Sequence, residues 1–288
     1  MGYDPVFLGE RHEVPLPVLL GKTAEDALEN GRVYDFTHFS IVMNKRRKFA
    51  VYSAACVDKS RFVNIPRTNR LWHLDDRIGA MNQVGPEYYA QNDYDKGHLT
   101  RRRDVCWGER HEAEKANRDS FCYANIVLQH HNFNTGVWNC LEDWILNRME
   151  SEKKLIVYTG PIFREDDEEY CGVRGQPGCQ VKIPFGFWKS VFFVDGQHRL
   201  KSLSFLIRQS PERFNDACEY RRLQTYQVPL TTITRETELL FKHTLYEANP
   251  LYFWPYRLAA AGCLVTPERH LITQPADIIM DRKKSVTD

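Results

Sequence analysis

The chain has 288 residues, of which 42% are hydrophobic, and its 39 basic and 38 acidic side chains leave a formal net charge of +1. This length can bury one large core or two small ones, and the composition is ordinary for a globular protein. The apolar runs are too short to span a bilayer, and the balanced total charge gives weak support for a nucleic-acid binder unless basic residues are concentrated on one face.

Residues 1–34 predict a proline-rich extended arm with a short helical patch around residues 23–30. The first ten residues contain neither a basic region nor a long apolar stretch, so we expect no secretion signal and a cytoplasmic location.

A β-hairpin is predicted next. Residues 36–43 and 49–57 are rich in apolar and aromatic side chains and alternate in character, as strands do, and the basic residues 45–48 lie in the turn between them. The pair indicates a central antiparallel sheet. For the basic turn, a solvated surface and a phosphate contact both remain open.

Residues 59–95 contain many Asn, Pro and Gly residues and are expected to wrap irregularly around an active cleft. The later elements predicted are a helix over 109–120, strands over 155–158 and 188–194, and an amphipathic helix over 235–245. No repeat or low-complexity linker divides residues 35–250, so we take them as one domain. Residues 251–288 form a C-terminal extension that is packed on this domain or partly disordered.

The motif Asp95-Lys96-Gly97-His98 is followed 36 residues later by Asn134, and Glu142 lies eight residues beyond that asparagine. If residues 134–148 form a helix, Asn134 and Glu142 project from one face, about two turns apart. Phosphodiester hydrolysis needs a proton acceptor and neutralisation of negative charge, and one histidine, one divalent ion and a few cations suffice.

The motif therefore predicts a one-metal nuclease site. His98 is the predicted general base, because an unperturbed imidazole titrates near about pH 6.5. Asn134 is the predicted ligand of Mg²⁺ or Mn²⁺, and Glu142 the acceptor that orders the water shell of the ion. Alternatives exist: Asn134 could cap a helix, and Glu142 could pair with Arg148 at the surface.

Longer stretches around these residues resemble the DNA/RNA non-specific endonucleases, in their endonuclease G-like form. Beyond the two motifs, the resemblance is carried by residues 122–129 (CYANIVLQ), 158–163 (YTGPIF) and 183–190 (IPFGFWKS), and it spans roughly residues 35–250. It implies an α+β fold of the ββα-metal nuclease type, with a central antiparallel sheet flanked by helices. In that fold a strand delivers the base and the following helix delivers the metal ligand.

The resemblance assigns the same roles to His98, Asn134 and Glu142. It also assigns a phosphate-binding arginine to Arg70, two residues before Trp72, with Arg67 as a nearby rival. Lys96 stands where the family usually has arginine, so the charge is preserved but the two-pronged guanidinium is not.

Further residues are expected to contact nucleic acid. Asn125 and Gln129 match the family's Asn and Gln in the segment that lines the cleft, and Asp95 lies within the motif itself. The basic cluster that directly follows the predicted base extends the same surface. Its members are Arg101, Arg102 and Arg103.

Eight cysteines occur in a chain without an export signal, so reduced thiols are the default expectation. Cys171 and Cys179 bracket a glycine-rich loop that a disulfide or a zinc ion could close.

The sequence thus predicts a Mg²⁺-dependent (or Mn²⁺-dependent), sugar-non-specific endonuclease that hydrolyses DNA, with RNA as a second substrate, and that makes no membrane contact. Because an unrestrained nuclease is lethal, we expect a regulatory partner or inhibitor, and a defence or toxin-like role and a homodimer stay open. The alternative is an inactive nuclease fold that binds nucleic acid or a protein. The intact His98, Asn134 and Glu142 argue against it.

Overall fold

Fourteen strands are found in the described residues of the structure, a computed structural model that describes residues 1–67, 71–148, 153–211, 225–252 and 269–281. They are β1 (Val18–Leu19), β2 (Val33–Phe36), β3 (Phe39–Met43), β4 (Ala50–Asp58), β5 (Tyr94–His98), β6 (Ile126–His130), β7 (Lys154–Ile162), β8 (Glu169–Val173), β9 (Gln176–Lys182), β10 (Gly186–Val194), β11 (Leu200–Arg208), β12 (Thr225–Val228), β13 (Leu239–Leu240) and β14 (His270–Leu271).

The α-helices in the same residues are α1 (Gly21–Glu25), α2 (Arg102–Val105), α3 (Arg110–Ser120), α4 (His131–Phe133), α5 (Asn139–Arg148), α6 (Leu230–Thr237) and α7 (His243–Glu247). A single π-helical turn, Asn134–Trp138, joins α4 to α5. The predicted irregular region before β5 contains the short 3-10 turns Lys59–Arg61, Ala80–Asn82 and Pro86–Tyr89.

Eight of these strands form one sheet in the order β14-β12-β11-β10-β7-β4-β3-β2, and every neighbouring pair is antiparallel. Successive side chains of each strand point to opposite faces of this sheet, and each face packs against its own hydrophobic core. Val157 of β7 packs into a core shared with Leu141 of α5, whereas Tyr158 faces a second core shared with Ile233 of α6. The central antiparallel sheet flanked by helices is therefore confirmed.

The strands that carry the predicted base lie on the first face. β5 pairs antiparallel with β6, so that His98 lies opposite Ile126, and the chain leaves β6 directly into α4, the π-turn and α5. Two strands and a helical segment thus bring the motif residues of β5 next to Asn134.

Two of the secondary-structure predictions are confirmed. The predicted hairpin is present as β3 and β4, and the helix predicted over 109–120 is α3. The helix predicted over 235–245 is wrong. α6 ends at Thr237 because Glu238 adopts a left-handed conformation (φ 55°), and the following residues pair as β13 with β1.

Both chain ends contribute to the packing. Tyr3 of the N-terminal arm lies 5.6 Å from the ring of Tyr158, and β14 extends the sheet by pairing with β12. The rest of the predicted extension, residues 253–268 and 282–288, lies outside the described residues. No helix in the described ranges combines the length and the apolar character needed to cross a membrane.

The expectation of reduced thiols is wrong for Cys171 and Cys179, which form a disulfide. The hairpin of β8 and β9 brings their Cα atoms to 3.8 Å. Cys140 is also disulfide-bonded, whereas the free thiols Cys56, Cys106 and Cys122 are buried.

Candidate active site

A polar pocket of about 360 Å³ collects most of the predicted site residues. It is lined by Arg67, Lys96, His98, Arg101, Arg102, Arg103, Asn134, Thr135, Asn139 and Glu142. The predicted base, metal ligand and outer acceptor, separated by 44 residues of sequence from His98 to Glu142, therefore share one cavity. Arg70 lies outside the described residues, whereas its rival Arg67 lines the pocket.

Gly97 is needed for β5 and β6 to pair as they do. A Cβ atom at this position would overlap the side-chain amide of Gln129 on the neighbouring strand. A larger residue would push the strands apart and displace His98, which is the next residue along the chain. The glycine of the motif thus has a steric role beside the predicted base.

His98 is held in a pocket wall that keeps its imidazole neutral. The rings of Trp72 and Phe121 each lie 5.6 Å from the His98 ring. Burial, reinforced by the positive charges of Arg67 and Arg102, lowers the pKa of His98 from 6.5 to about 3. The Nε2 atom has no hydrogen-bond partner among the described residues. A neutral, unpaired ring nitrogen is the form that a general base requires.

Asn134 is oriented by the same strand that carries His98. Its Nδ2 atom donates to Asp95 Oδ2 (2.8 Å), and the Asp95 carboxylate also lies 3.0 Å from His131 Nδ1. Asn134 has helical backbone angles and directly follows the last residue of α4, whose N-cap is His130, so Asn134 is not the cap of a helix start that the alternative requires. Because the amide nitrogen is engaged by Asp95, the amide oxygen is the group left for a cation.

Glu142 is almost buried, with 8% of its surface exposed. Its Oε1 atom accepts a hydrogen bond from Lys189 Nζ (3.1 Å), and its Oε2 atom lies 3.4 Å from Arg101 Nε. These two inward partners replace the surface pairing that was the alternative for this residue.

The three consecutive arginines point in different directions. Arg101 donates to Asn139 and Asp143 of α5, and its Nη1 atom is buried without a partner among the described residues. Arg102 donates to the Ile65 carbonyl oxygen (2.7 Å). Arg103 is exposed.

Arg103 lies with its guanidinium 5.5 Å above the ring of Phe62, which is itself 41% exposed. Arg103 is therefore the most solvent-exposed of the three, whereas Arg101 and Arg102 donate hydrogen bonds to other residues of the protein.

Two expected contacts with nucleic acid must be corrected. Asn125 is fully buried, accepts from the Thr100 backbone nitrogen (2.9 Å) and donates to the Thr100 and Ser120 carbonyl oxygens. Gln129 is also fully buried, against Gly97. Both side chains shape the strands and the loop after His98 from within, and neither reaches the pocket surface.

Sequence reasoning missed Lys189 as a neighbour of the site. The signal was present, because a lysine in the apolar run of β10 points to a buried charge that needs a partner. The identity of that partner depends on the sheet register and on the position of α5, which no local pattern contains.

The polar atoms that line the pocket decide whether it suits a divalent cation. Within the ranges that the structure describes, no group of three or more His, Cys, Asp or Glu side chains could hold a metal ion. A magnesium ion that keeps most of its waters needs only one or two protein ligands. The Asn134 amide oxygen, the Glu142 carboxylate and the unpaired Nε2 atom of the neutral His98 are acceptors that fit such a hydrated ion.

Comparison with known proteins identifies a family and several relatives. The sequence model of the family described as DNA/RNA non-specific endonuclease matches residues 23–248. The chain is 33% identical over 279 residues to the uncharacterized protein y4fB of Sinorhizobium fredii, covering 86% of this chain and 40% of that protein. It is 24% identical over 173 residues to the mitochondrial nuclease EXOG of Danio rerio, covering 58% of this chain and 48% of that protein.

The chain thus spans less than half the length of these curated relatives. Among solved structures, a chain of the EndoG/EndoGI complex superimposes with a TM-score of 0.59 at 18% identity, covering 73% of this chain and 84% of that one. At this identity the likeness establishes the fold, which is that of the ββα-metal nucleases. Since the family match covers most of the chain, from residue 23 to residue 248, the protein belongs to the DNA/RNA non-specific endonuclease family.

Proposed function

We propose that the protein is a metal-dependent endonuclease that hydrolyses phosphodiester bonds of DNA, with RNA as a second substrate. The observation that carries the proposal is the unpaired Nε2 atom of a neutral His98 in the same pocket as Asn134, Glu142 and several cations. An inactive binding module would have no need for an imidazole kept free of protons and partners.

His98 performs the proton transfer in this proposal. Its Nε2 atom accepts a proton from the attacking water, and its low pKa keeps that atom available at neutral pH. Trp72 and Phe121 pack against the His98 ring and against each other, so the nitrogen is positioned before substrate arrives.

Asn134 would hold the divalent ion through its amide oxygen, and Glu142 would accept hydrogen bonds from the waters of that ion. Bound Mg²⁺ or Mn²⁺ supplies a Lewis acid that stabilises charge on the phosphoryl group and on the leaving oxygen. Asp95 contributes by fixing the Asn134 amide rather than by touching nucleic acid, because its carboxylate is already engaged.

Cations around the pocket would bind the phosphates. Lys96 lies with its Nζ atom 5.3 Å above the Trp72 ring, and Arg67 lines the same pocket. Arg70, two residues before Trp72, remains part of the proposal. Contacts to phosphates carry no base information, so this arrangement supports cleavage without sequence preference.

Restraint by a protein inhibitor is also part of the proposal. The structural neighbour comes from a study of EndoG inhibition in a complex with EndoGI. We include a comparable inhibitor in the proposal. A homodimer and a defence or toxin-like role are further candidate features, and neither depends on the geometry of the pocket.

The decisive experiment is digestion of supercoiled plasmid, linear duplex and single-stranded RNA by purified protein, with Mg²⁺, with Mn²⁺ and with chelator. We expect internal nicks in plasmid that require the cation. A His98→Ala preparation made in parallel controls for contaminating nuclease. Binding of plasmid without cleavage under every metal condition would favour the inactive module instead.

A second expectation concerns Arg103 as a phosphate contact. Arg103→Ala should weaken binding to unrelated duplexes equally and reduce the slope of log affinity against log salt by about 0.9, because one fewer counterion is released. Arg110→Ala is the matched control, since Arg110 is an exposed arginine paired with Glu114 on α3 and does not line the pocket. An unchanged slope for Arg103→Ala would remove this residue from the phosphate track.

A further inference from the structure

A fully buried lysine lies under the candidate active site. Lys189 is only 1% exposed and sits in β10, near the middle of the sheet. Its neighbours across the sheet are Thr159 of β7 and Phe205 of β11. In strand alternation it shares a face with Phe187 and Val191, the face that packs against α5.

The ammonium group of Lys189 meets one carboxylate and one aromatic ring. The Nζ atom donates to Glu142 Oε1 (3.1 Å) and lies 4.9 Å from the centre of the Trp138 ring. Burial of an ammonium group is costly unless a partner compensates it. An ion pair of this kind is often no more stable than an apolar pair of similar size. A purely structural need for this lysine is therefore weak.

Lys189 restricts the orientation of the Glu142 carboxylate. Lys189 approaches Glu142 from the sheet and engages Oε1, while Arg101 approaches from the side and lies near Oε2. Arg101 is itself fixed by Asp143 Oδ1 (2.6 Å), one residue further along α5. Both oxygens of Glu142 are thus oriented by cations that do not depend on substrate.

We propose that Lys189 is a positioning residue that holds the Glu142 carboxylate oriented toward the cation site at Asn134. This inference rests on the proposed function, because Glu142 matters only if it orders the water shell of an ion. Lys189 does not line the pocket, so it acts through Glu142 and not on nucleic acid.

The test is a double-mutant cycle with Lys189→Met, Glu142→Gln and the double variant, with Mn²⁺ affinity measured by calorimetry. Each single variant should bind Mn²⁺ about 10- to 100-fold more weakly, as expected for loss of an outer-shell partner. The double variant should be no weaker than Glu142→Gln alone. DNA affinity in chelator should be unchanged in Lys189→Met.

Lys201→Met is the matched control. Lys201 lies on the adjacent strand β11, is also mostly buried (its side chain is 14% exposed) and pairs with Asp195 and Asp281 away from the pocket. This variant should bind Mn²⁺ like the parent. Thermal unfolding of every variant separates loss of metal affinity from loss of fold.

A second pair keeps the test valid if Lys189→Met does not fold. Lys189→Arg retains charge and donor, whereas Lys189→Gln retains a donor without charge, so the arginine variant should bind Mn²⁺ more tightly. Equal affinities in these two, or independent losses in the double variant, would overturn the positioning role. If the parent binds Mn²⁺ and cleaves plasmid, but Lys189→Met keeps full Mn²⁺ affinity, this inference is wrong and the proposed function stands. A parent that never cleaves defeats the proposed function and this inference with it.

Discussion

His98→Ala is expected to lower the cleavage rate by about 10² to 10⁴, the range typical for loss of a general base. The variant removes the only unpaired nitrogen that we assign to the proton transfer, and leaves the cations of the pocket in place. Duplex affinity in chelator should therefore stay within a few-fold of the parent. Single-turnover cleavage with saturating Mg²⁺ is the measurement, and His111→Ala, an exposed histidine on α3, is the control. Added imidazole should restore part of the lost rate.

The pH dependence follows from the pKa of His98, which burial lowers to about 3. The imidazole stays neutral in the folded enzyme throughout mildly acidic pH, so kcat/KM should show no acidic limb near about pH 6.5, where a free histidine titrates. In the unfolded chain the same group takes up a proton near 6.5. The stability that it contributes is thus fully present above about pH 6.5 and is lost as pH falls toward 3.

His98→Ala should flatten this part of the stability curve. Unfolding measured at several pH values between 4 and 8 compares the two proteins, and a parent with a kcat/KM limb at the ordinary histidine pKa would contradict the buried, neutral base.

Asn134→Ala should lower metal affinity and cleavage together. Because the proposal places the ion directly on the Asn134 amide oxygen, we expect a loss of at least about 10- to 100-fold in Mn²⁺ affinity, the size seen even for outer partners. Asn132→Ala provides the control, since Asn132 lies two residues earlier, in α4, and donates to the Pro211 carbonyl oxygen (2.8 Å). Calorimetry with Mn²⁺ measures affinity directly.

Excess metal distinguishes the two possible causes of inactivity in Asn134→Ala. If the variant has lost only affinity, high Mn²⁺ concentration should recover part of the rate, whereas His98→Ala should not respond. Parent-like Mn²⁺ affinity in Asn134→Ala would place the ion elsewhere in the pocket.

Local sequence patterns predicted an element correctly when the whole pattern lies within a single helix or strand. The β3 and β4 hairpin and helix α3 are of this kind. The pattern over 235–245 misled, because two short helices and a strand share one apolar face around the left-handed Glu238. β11 was not predicted at all. Its polar residues Ser202 and Ser204 are fully buried, so polarity along the strand does not report exposure.

The site was predictable to the extent that its chemistry is local. Asp95, Lys96 and His98 stand together in one strand, and Asn134 follows the strand that pairs with it. The burial of Asn125 and Gln129 was not predicted, because residue type does not reveal which way a side chain points from a turn or a strand. Lys189 was missed because its link to Glu142 joins residues 47 positions apart through sheet register and helix packing.

The pairing of β14 with β12 determines where the chain can be shortened. The family match ends at residue 248, yet His270 and Leu271 cover the outer edge of β12. Removing them would expose the backbone donors and acceptors of Tyr226 and Gln227, and the uncovered edge of a sheet is a template for intermolecular strand addition. A fragment cut at the family boundary is thus expected to self-associate even with its catalytic pocket intact, because it lacks the strand that covers the β12 edge of the sheet.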